Sequence, residues 1–345
     1  MFDTLITMFN PRFNNPIRAL AYLFFGALLI SLFSCGGGGY VTEKEEEPIE
    51  EFIDDTSDTE AAPGCSDYSE AENTQFCTIS SGGLTREFFI HLPEAYSDQI
   101  PPVPVLISLH GGGDYADANM AYSGFRDKAD EHTFITIYPQ GLLYEEKNST
   151  GWDTGVDDIE FIEKVIDWTI DNFNAEPKEI YTAGFSNGAF MAYHIACNLS
   201  HKIAAIAPVA GLMGETTYQT CNSIHAMPIV HLHGVQDDVI YIDGGPEYLP
   251  LEDNGSTEGV VTYWKNINQC NEFKEQSIQQ GQDTSIGTLG IWSNCLDGVE
   301  INYWKLDEVG HEWQSKGDGD DAVNVPSVIW EFLSRFTIDG AKIES

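Results

Sequence analysis

The stretch from Glu179 to Ala189 reads Glu-Ile-Tyr-Thr-Ala-Gly-Phe-Ser-Asn-Gly-Ala. An apolar run rich in strand-forming residues leads into Gly-Phe-Ser-Asn-Gly, and a helix-like stretch continues to Leu199. This is the Gly-x-Ser-x-Gly pattern, in which a serine lies on a tight turn between a strand and a helix. The turn crowds the neighbouring backbone, so glycine, which has no Cβ atom, is favoured two positions before and two after Ser186. We therefore predict that Ser186 is exposed at the edge of a sheet.

A nucleophilic serine needs a base and a carboxylate, which follow such a turn in the order serine, acid, histidine. Asp237 comes after a strand-like run that ends in His233-Gly234, and His311 comes after a later strand. A histidine can accept the serine proton near neutral pH, and a carboxylate fixes the tautomer of that histidine. We predict the catalytic set Ser186, Asp237 and His311. Asp238 is the alternative acid; Asp237 is preferred because its spacing after the strand matches the usual acid loop.

A glycine-rich loop, His110-Gly-Gly-Gly-Asp, follows another apolar strand early in the chain. In folds with the serine turn, the oxyanion is bound by one backbone N–H from such a loop and one from the residue after the serine. We predict Gly112 and Asn187 as these donors, with Gly113 as the alternative to Gly112. A phosphate-binding loop is excluded by pattern, because no Gly-Lys-Ser/Thr follows.

Together, these motifs resemble the secreted polyhydroxybutyrate depolymerase and feruloyl esterase group of α/β-hydrolases. Further similarity lies in the segment from Val156 to Phe161 and in Trp152 just before it. The resemblance covers about residues 80–336, and it implies ester hydrolysis through an acyl-enzyme on Ser186, with Asp237 and His311 as partners. Depolymerases of this group often carry a separate polymer-binding domain, which this sequence does not reveal.

Strand-like and helix-like segments alternate along the chain, which predicts an α/β fold with a mainly parallel sheet covered by helices on both faces. The predicted strands are 86–92, 103–109, 133–138, 180–184, 203–209, 228–233 and 299–306, and the predicted helices are 116–132, 157–173, 189–199, 257–270 and 325–336.

The chain of 345 residues is strongly acidic, with 55 Asp and Glu against 16 Lys and Arg and a formal net charge of −39. Such a surface repels nucleic acid and anionic lipid headgroups, so nucleic acid is not expected as a partner. The hydrophobic content of 42% is sufficient for a large core. The sequence carries no cofactor motif and no convincing metal-ligand pattern, so we predict neither group. His231 and His233 alternate on a strand and share one face, where core packing is favoured over a metal pair.

Six of the seven cysteines lie beyond residue 60, and an even number in an exported chain indicates disulfides. Fifteen connectivities are possible for six cysteines. Proximity in sequence favours the pairs Cys65–Cys77, Cys197–Cys221 and Cys270–Cys295.

The N-terminal residues 1–35 are typical of a targeting signal. Arg12 and Arg18 precede an uncharged stretch that is short for a transmembrane helix, and the segment ends in Leu32-Phe33-Ser34-Cys35. This ending resembles the bacterial lipobox, which implies lipidation of Cys35 and anchoring to the membrane. By resemblance to the sorting rules of enteric bacteria, Gly36 in place of aspartate implies the outer membrane, with the protein periplasmic or at the cell surface. An ordinary secretory signal or an uncleaved anchor is the alternative.

Residues 36–62 combine four glycines with an acidic tract and are expected to form a disordered tether, which leaves 63–345 as the catalytic domain. Trp152 and Trp313 are expected to line a substrate cleft. The leading function is a serine carboxylic-ester hydrolase acting on polyhydroxybutyrate-type esters or oligomers. A feruloyl or acetyl esterase on plant-type polysaccharide is the main alternative. A peptidase or lipase, or a binding lipoprotein without activity, is a further one.

Overall fold

The computed structural model of the protein describes residues 63–144, 148–152, 157–245, 255–280, 284–315 and 323–343. These residues belong to the unit Asp58–Ser345. The predicted signal segment 1–35 with Cys35 and the predicted tether 36–62 lie outside the described residues. Within the described part of the chain, no helix has the length and apolar character needed to cross a bilayer.

The strands run in chain order from β1 to β15. Their bounds are β1 Gly64–Asp67, β2 Thr74–Ser81, β3 Leu84–His91, β4 Val103–Leu109, β5 Ile135–Pro139, β6 Leu142–Tyr144, β7 Ser149–Gly151, β8 Ala175–Phe185, β9 Ala205–Val209, β10 Ile229–Gly234, β11 Glu272–Gln280, β12 Thr284–Ser293, β13 Ile301–Leu306, β14 Phe336–Thr337 and β15 Gly340–Ala341.

Eleven of these strands form one sheet, in the order β1-β2-β3-β5-β4-β8-β9-β10-β13-β12-β11. The six central strands, from β5 to β13, run parallel to one another. The outer strands on both sides are antiparallel. Because the central strands are parallel, their carboxyl ends lie at the same edge, and the loops after β4, β8 and β10 meet there.

In the described ranges, seven α-helices connect the strands: α1 Ala116–Tyr122, α2 Phe125–His132, α3 Asp157–Asn172, α4 Asn187–Asn198, α5 Glu215–Thr220, α6 Thr257–Ile267 and α7 Val325–Leu333. One core cluster joins the sheet to α3, α4 and α6 through Phe161, Met191 and Trp264. A second cluster, on the other face, includes Phe125 of α2 and Ile329 of α7. Both faces of the central sheet are therefore covered, as the alternating pattern predicts.

The predicted single helix 116–132 is wrong, because the structure has two helices there. Helix α1 ends at Tyr122, and α2 begins at Phe125 after a break at Ser123 and Gly124. Gly124 has φ +76°, a left-handed conformation that glycine adopts without a steric penalty and that an α-helix cannot contain. The chain therefore turns between the two helices.

The described residues contain three disulfides, Cys65–Cys77, Cys197–Cys221 and Cys270–Cys295. These are the pairs that proximity in sequence favours. The first pair faces across β1 and β2, where the two residues are register partners. The prediction of this connectivity is confirmed.

A buried ion pair ties the antiparallel edge of the sheet to α3. Nη2 of Arg86 on β3 lies 2.6 Å from Oδ1 of Asp158, and the two side chains are 2% and 0% exposed. The guanidinium also lies over the ring of Phe161, 4.0 Å from its centre. Asp158 lies in the acidic segment before β8 that resembles the esterase group. This residue of the segment therefore has a structural role.

Replacing Asp158 by asparagine is expected to lower the free energy of unfolding by about 3–5 kcal/mol, because the Arg86 charge stays buried without its counter-ion. Denaturant unfolding followed by tryptophan fluorescence measures the change. Asp339→Asn is the control, because its ion pair with Lys178 is exposed and should contribute little. Equal losses in the two variants would contradict the assignment of a stabilising buried pair.

Candidate active site

Ser186 lies between the end of β8 and the start of α4 with φ 54° and ψ −118°. A non-glycine residue rarely adopts positive φ, and such strain is typical of a serine held at a sharp turn. The Ser186 N–H donates to the Val209 carbonyl oxygen of the neighbouring strand at 2.9 Å. This bond anchors the turn to β9 and leaves the side chain at the carboxyl edge of the sheet.

Gly184 and Gly188 make the turn possible because their backbones pass very close to other chain segments. A Cβ atom on Gly184 would stand 2.1 Å from the Gly188 carbonyl oxygen. A Cβ atom on Gly188 would stand 2.4 Å from the carbonyl oxygen of Leu109. Both distances are far shorter than a van der Waals contact, so Gly184 is required where β8 passes the start of α4, and Gly188 is required where α4 passes the end of β4.

The three side chains predicted from sequence form one hydrogen-bonded line. His311 Nε2 lies 2.9 Å from Ser186 Oγ, and His311 Nδ1 lies 2.8 Å from Asp237 Oδ2. A carboxylate can only accept, so Nδ1 carries the hydrogen and Nε2 is free to accept from the serine hydroxyl. The arrangement therefore has the tautomer that a histidine base needs.

Asp237 is buried, yet several donors hold it in the ionised form. Burial by itself raises the pKa of this carboxyl group. Hydrogen bonds from His233, His311 and the backbone N–H groups of Ile240 and Val239 outweigh that effect, so the pKa lies well below its usual range. The two backbone groups donate to Oδ1 at 2.8 and 2.9 Å. Oδ2 is thereby left for His311.

Backbone hydrogen bonds hold the acid loop against the histidine loop. The Val235 N–H donates to the Leu306 oxygen at 2.8 Å, and the Gln236 N–H donates to the Val309 oxygen at 3.0 Å. Because both loops follow neighbouring parallel strands, β10 and β13, the spacing between Asp237 and His311 is set by the sheet. Asp238 is exposed, and the carboxylate that contacts His311 is that of Asp237, so the geometry favours Asp237 over its neighbour.

The glycine-rich loop lies directly against the serine turn. A Cβ atom on Gly111 would stand 3.5 Å from the Cβ of Ser186, and one on Gly112 would stand 3.5 Å from the Cβ of Asn187. The Asn187 N–H is the first of its helix and has no acceptor within that helix. The Gly113 N–H donates to the Thr150 oxygen at 2.7 Å, which makes Gly113 unavailable as the alternative donor.

His110 fixes the conformation of this loop through hydrogen bonds of its ring. Its Nδ1 hydrogen donates to the Gly111 oxygen at 2.7 Å, and its Nε2 accepts from the Gly141 N–H at 2.9 Å. Burial lowers the pKa of His110, which keeps the ring neutral and preserves both bonds. Sequence reasoning did not assign His110 a role of its own, although its position directly before three glycines was a usable signal.

Trp152 occupies a different place from the one expected. It is 5% exposed, and its indole N–H donates to the His110 carbonyl oxygen at 2.8 Å. Its backbone N–H donates to the side-chain oxygen of Asn187 at 2.7 Å. Trp152 is therefore a buried residue that supports the glycine-rich loop and the serine turn through hydrogen bonds. This finding corrects the expectation that it lines a substrate cleft.

Trp313 is partly exposed and lies two residues after His311. Its indole N–H donates to the Ser123 oxygen at 3.2 Å, and its ring meets those of Phe125 and Phe185 edge to face. Phe185 also packs against the His311 ring, with ring centres 5.0 Å apart. This aromatic cluster borders the triad, so a role of Trp313 at the substrate stays a prediction.

A separate surface cleft lies beside β2 and β3, at the antiparallel side of the sheet. It is lined by acidic, aromatic and other side chains that include Asp67, Tyr68, Glu72, Glu94 and Tyr96. No residue of the serine site lines this cleft. The hydrogen-bonded triad, and not the size of a cavity, identifies the candidate active site.

Comparisons with known proteins concern the fold and part of the chain. Residues 146–247 match the phospholipase/carboxylesterase family, a segment that contains Ser186 and Asp237 and ends before His311. The crystal structure of an acetyl xylan esterase from Aspergillus awamori superposes with a TM-score of 0.52 at 15% identity, covering 72% of this chain and 94% of that one. The chain has the α/β-hydrolase fold. The fold class predicted from the sequence is thus confirmed.

Sequence relatives of this α/β-hydrolase chain are named esterases. A bifunctional acetylxylan esterase/xylanase of Neocallimastix patriciarum is 27% identical over 260 residues, which are 75% of this chain and 34% of that protein. Feruloyl esterase B of Piromyces equi is 27% identical over 205 residues, 58% of this chain and 35% of that protein. The chain thus spans about a third of the length of these two relatives. Feruloyl esterase D of Neurospora crassa is 24% identical over 293 residues, 80% of this chain and 91% of that protein.

Proposed function

We propose that the protein is a serine carboxylic-ester hydrolase that acts through an acyl-enzyme. The observation that carries this proposal is the line Ser186–His311–Asp237, with hydrogen-bond distances of 2.9 and 2.8 Å. The glycine-rich loop beside Asn187 supports it, because a triad without an oxyanion site would lack the donors that stabilise the intermediate.

In the proposed reaction, Ser186 Oγ attacks the carbonyl carbon of the ester while its proton passes to His311 Nε2. The negative oxygen of the tetrahedral intermediate accepts hydrogen bonds from the backbone N–H groups of Gly112 and Asn187. The intermediate collapses, and the alcohol leaves with the proton from His311. A water molecule then gives a proton to His311 and its oxygen to the acyl carbon; the bond to Ser186 Oγ breaks, Oγ takes the proton back from His311, and the acid is released. Asp237 stabilises the imidazolium at each step.

For the substrate, we propose acyl groups esterified to plant-type polysaccharide, either acetyl or feruloyl. The relatives named above carry these activities in their names, and they agree with the alternative that the sequence motifs raise. Hydrolysis of polyhydroxybutyrate-type esters stays a prediction without support from these relatives.

The substrate test measures three releases under one set of conditions: acetate from acetylated xylan, ferulate from feruloylated xylan and hydroxybutyrate from short oligomers. Turnover of p-nitrophenyl acetate is the activity control. We expect kcat/KM for one of the xylan substrates to exceed that for the oligomers by at least about tenfold, a difference of about 1.4 kcal/mol in transition-state binding. A preference for the oligomers would overturn the polysaccharide assignment and leave the ester hydrolase intact.

We also propose that the protein is exported, with residues 1–35 as signal, Cys35 as the lipidated residue, 36–62 as tether and 63–345 as catalytic domain. Three disulfides in the described residues support export, because such bonds persist in oxidising compartments. Detergent-phase partitioning of Cys35→Ala tests the anchor, since unchanged membrane association would count against lipidation at Cys35.

A further inference from the structure

Behind Asp237, a line of buried polar side chains runs from the acid into the interior. Tyr193 on α4 and His231 on β10 are completely buried, and His233 on β10 is 1% exposed. The Tyr193 hydroxyl lies 2.7 Å from His231 Nδ1, and His231 Nε2 lies 3.2 Å from His233 Nδ1. His233 Nε2 lies 2.8 Å from the Ile240 carbonyl oxygen and 3.4 Å from Asp237 Oδ2.

The chemistry of the acceptors fixes the direction of every bond in this line. The Ile240 oxygen and the Asp237 carboxylate can only accept, so His233 Nε2 carries a hydrogen shared between them. A neutral His233 then accepts at Nδ1, which requires a hydrogen on His231 Nε2. His231 accepts at Nδ1 from the Tyr193 hydroxyl. All three groups therefore donate toward Asp237.

The packing around the two histidines preserves this arrangement. Their rings are nearly parallel, with an angle of 4° and centres 5.5 Å apart. The Tyr303 ring meets His231 edge-on at 5.5 Å, and the Tyr193 ring stacks on Trp264 at 6.3 Å. A proton added to His231 at Nδ1 would replace the hydrogen bond accepted from the Tyr193 hydroxyl and place a charge in a site without water-exposed surface. Burial and the neighbouring His233 accordingly lower the pKa of His231.

The line also spans the elements that form the acid loop. Tyr193 belongs to the helix that starts at Ser186, His231 and His233 belong to the strand before the loop, and Ile240 belongs to its far end. A single network thus connects the serine helix with both ends of the loop that carries Asp237. Every ring nitrogen of the two histidines is engaged within it, which leaves none for a metal ion.

From this network, we infer that His233, supported by His231 and Tyr193, is a positioning residue that holds the Asp237 carboxylate in its orientation toward His311. The inference rests on the proposed function, because it assigns these residues an effect through the triad acid. Sequence spacing alone indicated only that His231 and His233 share a face and pack in the core.

The test compares His233→Leu, which removes the donor, with His233→Gln, whose side-chain amide can donate from nearly the same position. Steady-state turnover of p-nitrophenyl acetate gives kcat and KM for the full chain. We expect His233→Leu to lower kcat by about 10²-fold with little change in KM, the loss that follows from an acid displaced by about 1 Å. The kcat of His233→Gln should be at least about tenfold higher than the kcat of His233→Leu. Equal kcat values for Leu and Gln, or a loss confined to KM, would overturn the inference.

A double-mutant cycle with Asp237→Asn separates positioning from a general loss of stability. If His233 acts through Asp237, His233→Leu should lower kcat by less than about threefold when Asp237 is already asparagine, because residues that act as a unit are non-additive. Losses that multiply would show that His233 acts independently of the acid, against the inference.

Tyr193→Phe provides a variant that keeps the ring and its packing. It removes only the first donor of the line, and we expect kcat to fall about three- to tenfold, the effect of one hydrogen bond. An unchanged kcat would exclude Tyr193 from the network's function. If Ser186→Ala abolishes turnover while His233→Leu retains the full kcat, only the positioning inference fails. If Ser186→Ala retains turnover, the proposed function fails.

Discussion

Replacing Ser186 by alanine is expected to lower kcat for p-nitrophenyl acetate by about 10⁶-fold, the loss seen when a triad nucleophile is removed. The reason is geometric, because Oγ of Ser186 is the atom hydrogen-bonded to His311 Nε2, and alanine leaves nothing to receive the acyl group. Alanine tolerates the backbone at this turn about as well as serine, so the fold should survive. Stopped-time assays at high enzyme concentration measure the residual rate.

The control for this variant is Ser97→Ala, an exposed serine in the loop before β4 that lies away from the carboxyl edge of the sheet. It should retain the full rate. Mass spectrometry after treatment with a fluorophosphonate gives a second readout, since the adduct should lie on the peptide that contains Ser186 and be absent from Ser186→Ala. Equal turnover in the two variants would reject the serine hydrolase.

The positions of Ser186 and Asp237 at strand ends could be predicted from the sequence because each follows a strongly apolar strand. A buried parallel strand needs apolar residues on both faces, and the loop at its end is where polar chemistry-bearing residues can lie. The runs before Ser186 and Asp237 have this character, and β8 and β10 end within one or two residues of the predicted bounds. Sheet pairing then brings the loops together without further information.

Apart from β3, which the predicted strand 86–92 covers, the antiparallel outer strands were not predicted, because their sequences carry no such pattern. The strand Glu272–Gln280 cannot be read as a buried strand, since the described side chains of β11 are almost all exposed and polar residues occur on both faces. What holds β11 in place is its pairing with β12, together with the Cys270–Cys295 disulfide beside it. Both are contacts between different segments of the chain, and the hydrophobic periodicity of one segment does not predict such contacts.

The role of Trp152 could not be obtained from sequence for a similar reason. Its two hydrogen bonds, to His110 and Asn187, join loops that follow different strands, and no local spacing connects them. An aromatic residue near a catalytic motif has the same appearance whether it contacts substrate or supports a loop. Burial decides between the two, and burial depends on the tertiary fold.

Replacing Asp237 by asparagine is expected to lower kcat/KM by about 10⁴-fold, the loss that follows when the triad histidine is forced into the wrong tautomer. Oδ1 of Asp237 accepts two backbone hydrogens, from Val239 and Ile240. An asparagine must place its oxygen there, because its NH₂ group cannot accept. The NH₂ group then faces His311.

With a donor opposite Nδ1, His311 must accept at that atom and carry its hydrogen on Nε2 instead. Nε2 can then no longer take the proton of Ser186, which accounts for the loss. Asp238→Asn is the matched control: its side chain is exposed one residue further on, and its kcat/KM should stay within about twofold of wild type, since an exposed charge contributes little. A large loss in Asp238→Asn with full activity in Asp237→Asn would reverse the assignment, because only the carboxylate that orients His311 can control which of its nitrogens is free to accept.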